Sequence, residues 1–278
     1  MHHRFVVYTD LDGTLLDHDT YSFDRALPAL QLLERENIPL VINSSKTRPE
    51  IERYRTLLVN NHPFISENGG GIFIPEGYFS STFRYDRTKD GYLIIEIGTP
   101  RGALIDVLKS VARETGIHLK GVFDMPLTEI SEITGLDPDS AALVKERDYS
   151  EPFLIDGDEA EVRRKIIEKG YDYTRGSRFH HILCGNDKGR AVRILTEIYR
   201  GESPYIKTIG IGDSLNDLPM LKAVDFPVLV RKKDGEWDEG CRAPELILAD
   251  GIGPEGFNSA LLKFFMSYEG KPSTENSI

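Results

Sequence analysis

Cysteine is scarce and long apolar runs are missing, and each shortage closes a class of protein. Two cysteines, Cys184 and Cys241, in 278 residues cannot build a disulfide framework, and nothing near either has zinc-ligand spacing. That usage fits a reducing cytoplasm. No stretch is long enough to cross a bilayer, and Met1, His2 and His3 lead into a short apolar strand with no signal-peptide core. A soluble chain with no membrane partner is expected. Positive charge is also short: 34 Lys and Arg face 45 Asp and Glu, a net charge of -11, which works against unaided binding to nucleic acid or anionic lipid. A small anionic substrate therefore needs a local basic pocket or a metal. Internal repeats are absent, and nothing in the sequence sets an oligomeric state.

The remaining composition, 40% hydrophobic and 28% charged, is that of a globular protein able to build sizeable cores. The length exceeds one typical core of about 100 to 150 residues and suits a core domain carrying a smaller one. Phe5 to Thr9 reads as a buried parallel strand, and Leu27, Leu30 and Leu33 recur at helical spacing. Ile38 to Asn43 is a second strand, Pro49 to Leu58 a helix opened by a first-turn proline, and Phe64 to Ser66 a third strand that stops at Glu67-Asn68-Gly69-Gly70-Gly71. Each strand ends in polar or glycine-rich residues, at the edge where open parallel sheets bind ligands.

Between about Arg84 and Asn186 the rhythm changes to strands at Leu93 to Ile97 and Arg178 to Cys184 and helices at Arg101 to Thr115 and Glu159 to Lys169, as in an α+β insertion. From Asp187 the first pattern resumes, with a helix to Arg200, strands Ile206 to Ile211 and Phe226 to Val230, a helix Asp217 to Val224 and a last helix Pro254 to Tyr268. The segment after Gly270 has the composition of a disordered tail. The expected fold is α/β, a doubly wound parallel sheet (Rossmann-like) formed by 1–83 and 187–278, with an inserted α+β cap at 84–186.

The segment Asp10-Leu11-Asp12-Gly13-Thr14 follows the first buried strand. Residues i and i+2 of an extended segment share a side, so Asp10 and Asp12 project together while Leu11 turns to the core. Two carboxylates this close repel unless a proton or a cation intervenes. The pair suits a nucleophile with a general acid and base, bridged by a divalent metal. An EF-hand reading fails on Leu11, the early Gly13 and the missing closing Glu. A second acidic set, Gly212-Asp213-Ser214-Leu215-Asn216-Asp217, follows another strand, where Asp213 and Asp217 offer hard oxygen ligands. Taken alone it reads equally as a helix cap; beside the first motif it reads as a metal site. Ser44 ends the second strand and Lys188 opens the helix after the insertion. A phosphoryl group in transfer needs such a hydroxyl and ammonium, with Lys46 a weaker choice for the cation.

The order Asp10-Leu11-Asp12-Gly13-Thr14, Ser44, Lys188, Gly212-Asp213-Ser214-Leu215-Asn216-Asp217 resembles the four motifs of the haloacid dehalogenase superfamily. The inserted segment resembles the α+β cap of its sugar-phosphatase branch. Within that branch Ser44-Ser45-Lys46-Thr47, Glu67-Asn68-Gly69-Gly70, Ser150-Glu151-Pro152-Phe153 and Arg178-Phe179-His180 are similar to the mannosyl-3-phosphoglycerate phosphatases. The resemblance implies a sugar phosphate substrate and magnesium. It implies Asp10 as nucleophile and metal ligand, and Asp12 as acid and base, bound to the metal through its backbone carbonyl. Ser44 and Lys188 would hold the phosphoryl group, Asp213 would ligate the metal, and Asp217 would support that site. It directs Ser45, Lys46, Glu67, Asn68, Arg175, Ser177, Arg178 and His180 to the substrate, Arg178 as a clamp on a carboxylate. Glu67 and Asn68 either meet sugar hydroxyls or shape their turn. Other sugar phosphatases (glucosyl-3-phosphoglycerate, sucrose or trehalose phosphate) and a phosphomannomutase share this pattern. A response-regulator receiver also pairs acids with a lysine, but has about half this length and no need for Asp12 or a cap.

Overall fold

The computed structural model describes residues 5–176, 178–241 and 245–269. In chain order the strands are β1 (Phe5–Thr9), β2 (Leu40–Asn43), β3 (Phe64–Ser66), β4 (Gly71–Pro75), β5 (Arg87–Lys89), β6 (Tyr92–Glu96), β7 (His118–Gly121), β8 (Glu151–Asp156), β9 (Asp172–Arg175), β10 (His180–Leu183), β11 (Lys207–Gly212), β12 (Phe226–Arg231) and β13 (Ile247–Ile252). The α-helices are α1 (Leu27–Arg35), α2 (Arg48–Leu57), α3 (Arg101–Thr115), α4 (Leu127–Thr134), α5 (Pro138–Val144), α6 (Glu159–Glu168), α7 (Lys188–Glu202), α8 (Leu218–Leu221) and α9 (Pro254–Glu269). The architecture is α/β, a mostly parallel mixed sheet arrangement with flanking helices and an α+β insertion. Among the described residues no helix is long and apolar enough to cross a membrane. The described residues fall into two compact units, one within Met1–Val41 and Ser203–Ile278, the other Ile42–Glu202.

In the first unit β13, β12, β11 and β1 lie side by side, and every pairing is parallel. Parallel strands are covered on both faces, which is why β1 is buried at all five residues and reads as an unbroken apolar run. Phe5 sits edge-on to Phe264, Phe265 and Tyr268 of α9 at 4.9–5.5 Å, a packing that adds to the area buried. The Ala29 N–H at the start of α1 donates to Asn258 Oδ1 of α9 (2.9 Å). The Asp10 N–H donates to the Ile211 carbonyl (3.0 Å), so the ladder continues past β1 and brings the first acidic motif to the C-terminal end of β11.

In the second unit β2 and β3 are parallel, whereas β4, β6 and β5 extend the sheet antiparallel. The cause is the four-residue link 67–70: a tight turn returns the chain antiparallel, because a parallel return needs a crossover of a dozen or more residues. The strand expected at Leu93 to Ile97 exists as β6, but it pairs with β4 and not with the insertion's own sheet. That sheet has the order β7-β8-β10-β9, all antiparallel. Neighbouring residues of a strand face opposite sides, and β8 divides accordingly. Phe153 packs with Leu104, Leu108 and Val111 of α3, Val162 and Ile166 of α6, and Ile182. Leu154 packs with Val122, Met125, Ile130, Ala141, Val144 and Phe179. Both faces of the inserted sheet are therefore covered, by α3 and α6 on one side and α4 and α5 on the other. The tail expected to be disordered after Gly270 lies outside the described residues.

Phe153 is fully buried at the centre of the larger cluster. Phe153→Ala is expected to cost about 3–5 kcal/mol, read as a lower urea midpoint at unchanged slope; a midpoint equal to that of the parent chain would contradict this packing.

Candidate active site

Five features of the first unit build an acidic centre. Leu11 is fully buried and Asp10 is 5% exposed, so the chain leaves β1 with Leu11 anchoring the core. Gly13 then turns at φ 79°, and a side chain there would begin 2.9 Å from Asp213 Oδ2, so the glycine is required both for conformation and for room. Asp217 is fully buried, and its Oδ2 accepts the N–H groups of Asp213 (3.1 Å) and Ser214 (3.2 Å). Gly212 leaves space for that carboxylate, since a Cβ there would lie 2.6 Å from Asp217 Cγ. Ser214 Oγ donates to Asp213 Oδ1 at 3.0 Å.

Asp10, Asp213 and Asp217 each offer a carboxylate oxygen, and these atoms lie within 4.8 Å of one another. Anions so close repel strongly. A set of hard oxygen donors fits a hard divalent cation, which relieves that repulsion. Of the acids expected at the metal, Asp10, Asp213 and Asp217 come together. Asp12 is half-buried and its carboxylate is not one of the gathered three, which agrees with a role for that side chain other than as a metal ligand. Cys241, near Asp238, Asp217 and Asp213, is pushed up to about 12 by burial and by those anions. It is a protonated thiol at neutral pH and no nucleophile.

The second unit gathers the groups expected around a phosphoryl ligand. Ser44 and Lys188 are each 1% exposed and Lys46 7%. Thr47 caps α2 in a reciprocal box with Glu50, Thr47 N–H donating to Glu50 Oε2 (2.8 Å) and Glu50 N–H to Thr47 Oγ1 (3.3 Å). The box orients the preceding Ser44–Lys46 loop, in which the Lys46 N–H donates to Ser44 Oγ at 3.3 Å. Asn43 Nδ2 donates to the Lys188 carbonyl (3.2 Å) and so fixes the start of α7 to the end of β2. A side chain on Gly69, which turns at φ 89°, would begin 2.2 Å from the Asp187 carbonyl. This explains a glycine at the closest approach to α7.

Glu67 is 1% exposed, and its carboxylate accepts from Asp148 N–H (2.8 Å), Tyr149 N–H (3.0 Å) and Ser150 Oγ (2.7 Å). Those bonds match the turn-shaping alternative of the two that the sequence left open. Burial raises the Glu67 carboxyl above its ordinary range, against the pull of Arg147 and the three donors. Asn68 is 5% exposed, and its buried Oδ1 has no hydrogen-bond partner among the described residues. In the insertion Arg175 is exposed and pairs with Glu159 at 3.2 Å. Arg178 is half-buried beside Phe179, which packs in the smaller cluster. His180 Nδ1 lies 2.5 Å from the Tyr173 hydroxyl, and burial lowers its pKa. Ser45 is half-buried, while Ser177 lies outside the described residues. Arg147, Ser150 and Asn186 were not anticipated as parts of this region. Their only signal in the sequence was the similarity of Ser150-Glu151-Pro152-Phe153 to a phosphatase subfamily, because a buried arginine and a solvated one are spelled alike.

A model of the haloacid dehalogenase-like hydrolases matches residues 7–92. A glucosyl-3-phosphoglycerate/mannosyl-3-phosphoglycerate phosphatase of Methanococcoides burtonii is 48% identical over 262 residues, 93% of this chain and 96% of that protein. One of the same name from Persephonella marina is 40% identical over 95% of this chain and 98% of that protein. A crystal structure from Thermoplasma acidophilum superposes with a TM-score of 0.68 at 20% identity, covering 96% of this chain and 99% of that one, a likeness of fold. With its acidic motifs gathered at one sheet edge and with relatives this similar along nearly its whole length, the chain belongs to the haloacid dehalogenase-like hydrolase family.

Proposed function

We propose that the chain is a magnesium-dependent phosphatase that hydrolyses mannosyl-3-phosphoglycerate, and its glucosyl counterpart, to the glycosylglycerate and phosphate through an aspartyl-phosphate on Asp10. The observation that carries this reading is the convergence of Asp10, Asp213 and Asp217 within 4.8 Å; the relatives named for both glycosyl substrates support the substrate class.

Asp10 attacks phosphorus through a carboxylate oxygen, and the bond from phosphorus to the sugar-acid oxygen breaks. Asp12 gives its proton to the departing alkoxide. A water then attacks the same phosphorus, Asp12 takes a proton from it, and the Asp10 carboxylate leaves unchanged. Ser44 and Lys188 hold the phosphoryl oxygens with a hydroxyl and an ammonium, aided by Lys46. Asp10 and Asp213, with the backbone carbonyl of Asp12, would ligate magnesium, which when bound neutralises charge on the phosphoryl oxygens. Asp217, with Oδ2 already bonded to two backbone N–H groups, orients Asp213 from behind. The inserted cap supplies the sugar-acid contacts through Arg178, Arg175, Ser177 and His180. Asn68 meets a sugar hydroxyl. A cytoplasmic location fits the two unpaired cysteines.

Phosphate release from a panel of mannosyl-3-phosphoglycerate, glucosyl-3-phosphoglycerate, sucrose phosphate and trehalose phosphate tests the substrate. Turnover of the first two is expected, and inactivity towards both with magnesium present refutes the assignment. Incubation with mannose 6-phosphate should yield free phosphate or nothing; an isomerised sugar phosphate would mark a mutase. Asp10→Asn should abolish turnover of every ester, and an active variant would remove this nucleophile. Asp217→Asn should raise the magnesium concentration giving half-maximal rate about 10- to 100-fold and recover most of kcat at saturating metal; an unchanged magnesium requirement would take Asp217 out of the metal's support.

A further inference from the structure

Glu67 stands where a sugar ligand was anticipated, yet it is buried, and its carboxylate is turned to partners within the protein. Both oxygens are engaged, Oε1 by the Asp148 N–H and Oε2 by the Tyr149 N–H and the Ser150 hydroxyl. Arg147 lies 3.9 Å from Oε2 and donates through Nη1 to Ser150 Oγ (3.1 Å) and to the Ser45 carbonyl (3.0 Å). Arg147, Ser150 and Glu67 thus form a buried circuit that reaches the Ser44–Lys46 loop.

The backbone of the same turn completes the connection. Glu67 and Asn68 adopt left-handed φ values of 50° and 55°; at Glu67 that conformation costs about 1–2 kcal/mol and persists only where its surroundings impose it, whereas asparagine enters it readily. The Glu67 N–H donates to the Lys46 carbonyl (3.0 Å) and the Asn68 N–H to the Ser44 carbonyl (3.0 Å). Asn186 Nδ2 donates to the carbonyls of Glu67 (3.1 Å) and Asn68 (3.3 Å), two residues ahead of Lys188. One turn therefore fixes the loop that carries Ser44 and the entry to the helix that carries Lys188. Its side chain grips the segment entering β8 of the insertion.

We propose that Glu67 is a positioning residue for phosphoryl transfer, clamping Asp148–Ser150 to a strained turn whose backbone sets the Ser44–Lys46 loop, and that it makes no contact with the sugar. The inference rests on the assignment of Ser44 and Lys188 to the phosphoryl group. It separates two kinds of loss. A positioning fault affects every phosphomonoester alike and falls on kcat, since a displacement near 1 Å costs about a hundredfold, whereas a lost sugar contact raises KM for the glycosyl substrate alone.

The test compares mannosyl-3-phosphoglycerate with p-nitrophenyl phosphate, which has no sugar, at saturating magnesium. Glu67→Gln should lower kcat about 10- to 100-fold on both esters with KM within about twofold, and Ser150→Ala about three- to tenfold on both. The double variant should lose no more than Glu67→Gln alone, because the two groups act through one contact. A KM increase confined to the glycosyl ester, parental rates for the variants, or losses that multiply in the double variant would overturn the proposal. If Glu67→Gln fails to fold by circular dichroism, Ser150→Ala on the two esters decides by the same criteria. Should the parent cleave only the nitrophenyl ester, the substrate assignment falls, and the kcat and KM of the variants on that ester still judge Glu67.

Discussion

Like charges gathered at a sheet edge set the central constraint on this molecule. Carboxylate oxygens of Asp10, Asp213 and Asp217 within 4.8 Å of one another repel by about 3–4 kcal/mol per ionised pair at an effective dielectric near 20. The fold holds them there through backbone geometry. β1 and β11 run parallel and in register, so both acidic motifs emerge at one edge. Gly13 and Gly212 carry no side chains at the points where one would strike Asp213 and Asp217. Asp217 is fully buried, and two backbone N–H groups anchor its Oδ2. A centre of this kind is matched to a cation and to the phosphoryl charge that the cation would share.

The second unit meets a related difficulty with the opposite sign. Lys188, Lys46 and Arg147 are buried or nearly so, and burying cations requires compensation. Glu67 supplies part of it, and its hydrogen bonds tie a strained turn to the chain entering β8. Buried networks of this sort constrain local geometry through the hydrogen bonds their members share. The Ser44–Lys46 loop and the entry to α7 are accordingly both tied to this turn. The chemistry expected of Ser44 and Lys188 depends on that rigidity.

Much of this was legible in the residues themselves. The strand at Phe64–Ser66 and the helix at Arg101–Thr115 were read with their full extents, because buried strands and amphipathic helices print their periods directly. Short strands of the insertion were not. β7 and β9 are short and show no alternation of buried and exposed residues, and such segments acquire strand character from their neighbours in the sheet. β4 was hidden for another reason: the left-handed backbone begins at Glu67, a residue type that does not announce it, although Asn68-Gly69 after it is a turn signal.

By itself the sequence determined which acids stand at strand ends and in what order, since parallel strands and their polar termini follow from local pattern. It also determined the family, because four short motifs in fixed order are rarely assembled by chance. Tertiary structure alone decided that Asp10 and Asp213, about two hundred residues apart, share one locus, and that Glu67 engages the chain 81 to 83 residues further on. Which partner a buried polar group finds depends on long-range pairing, and residue type records the need for a partner without naming it.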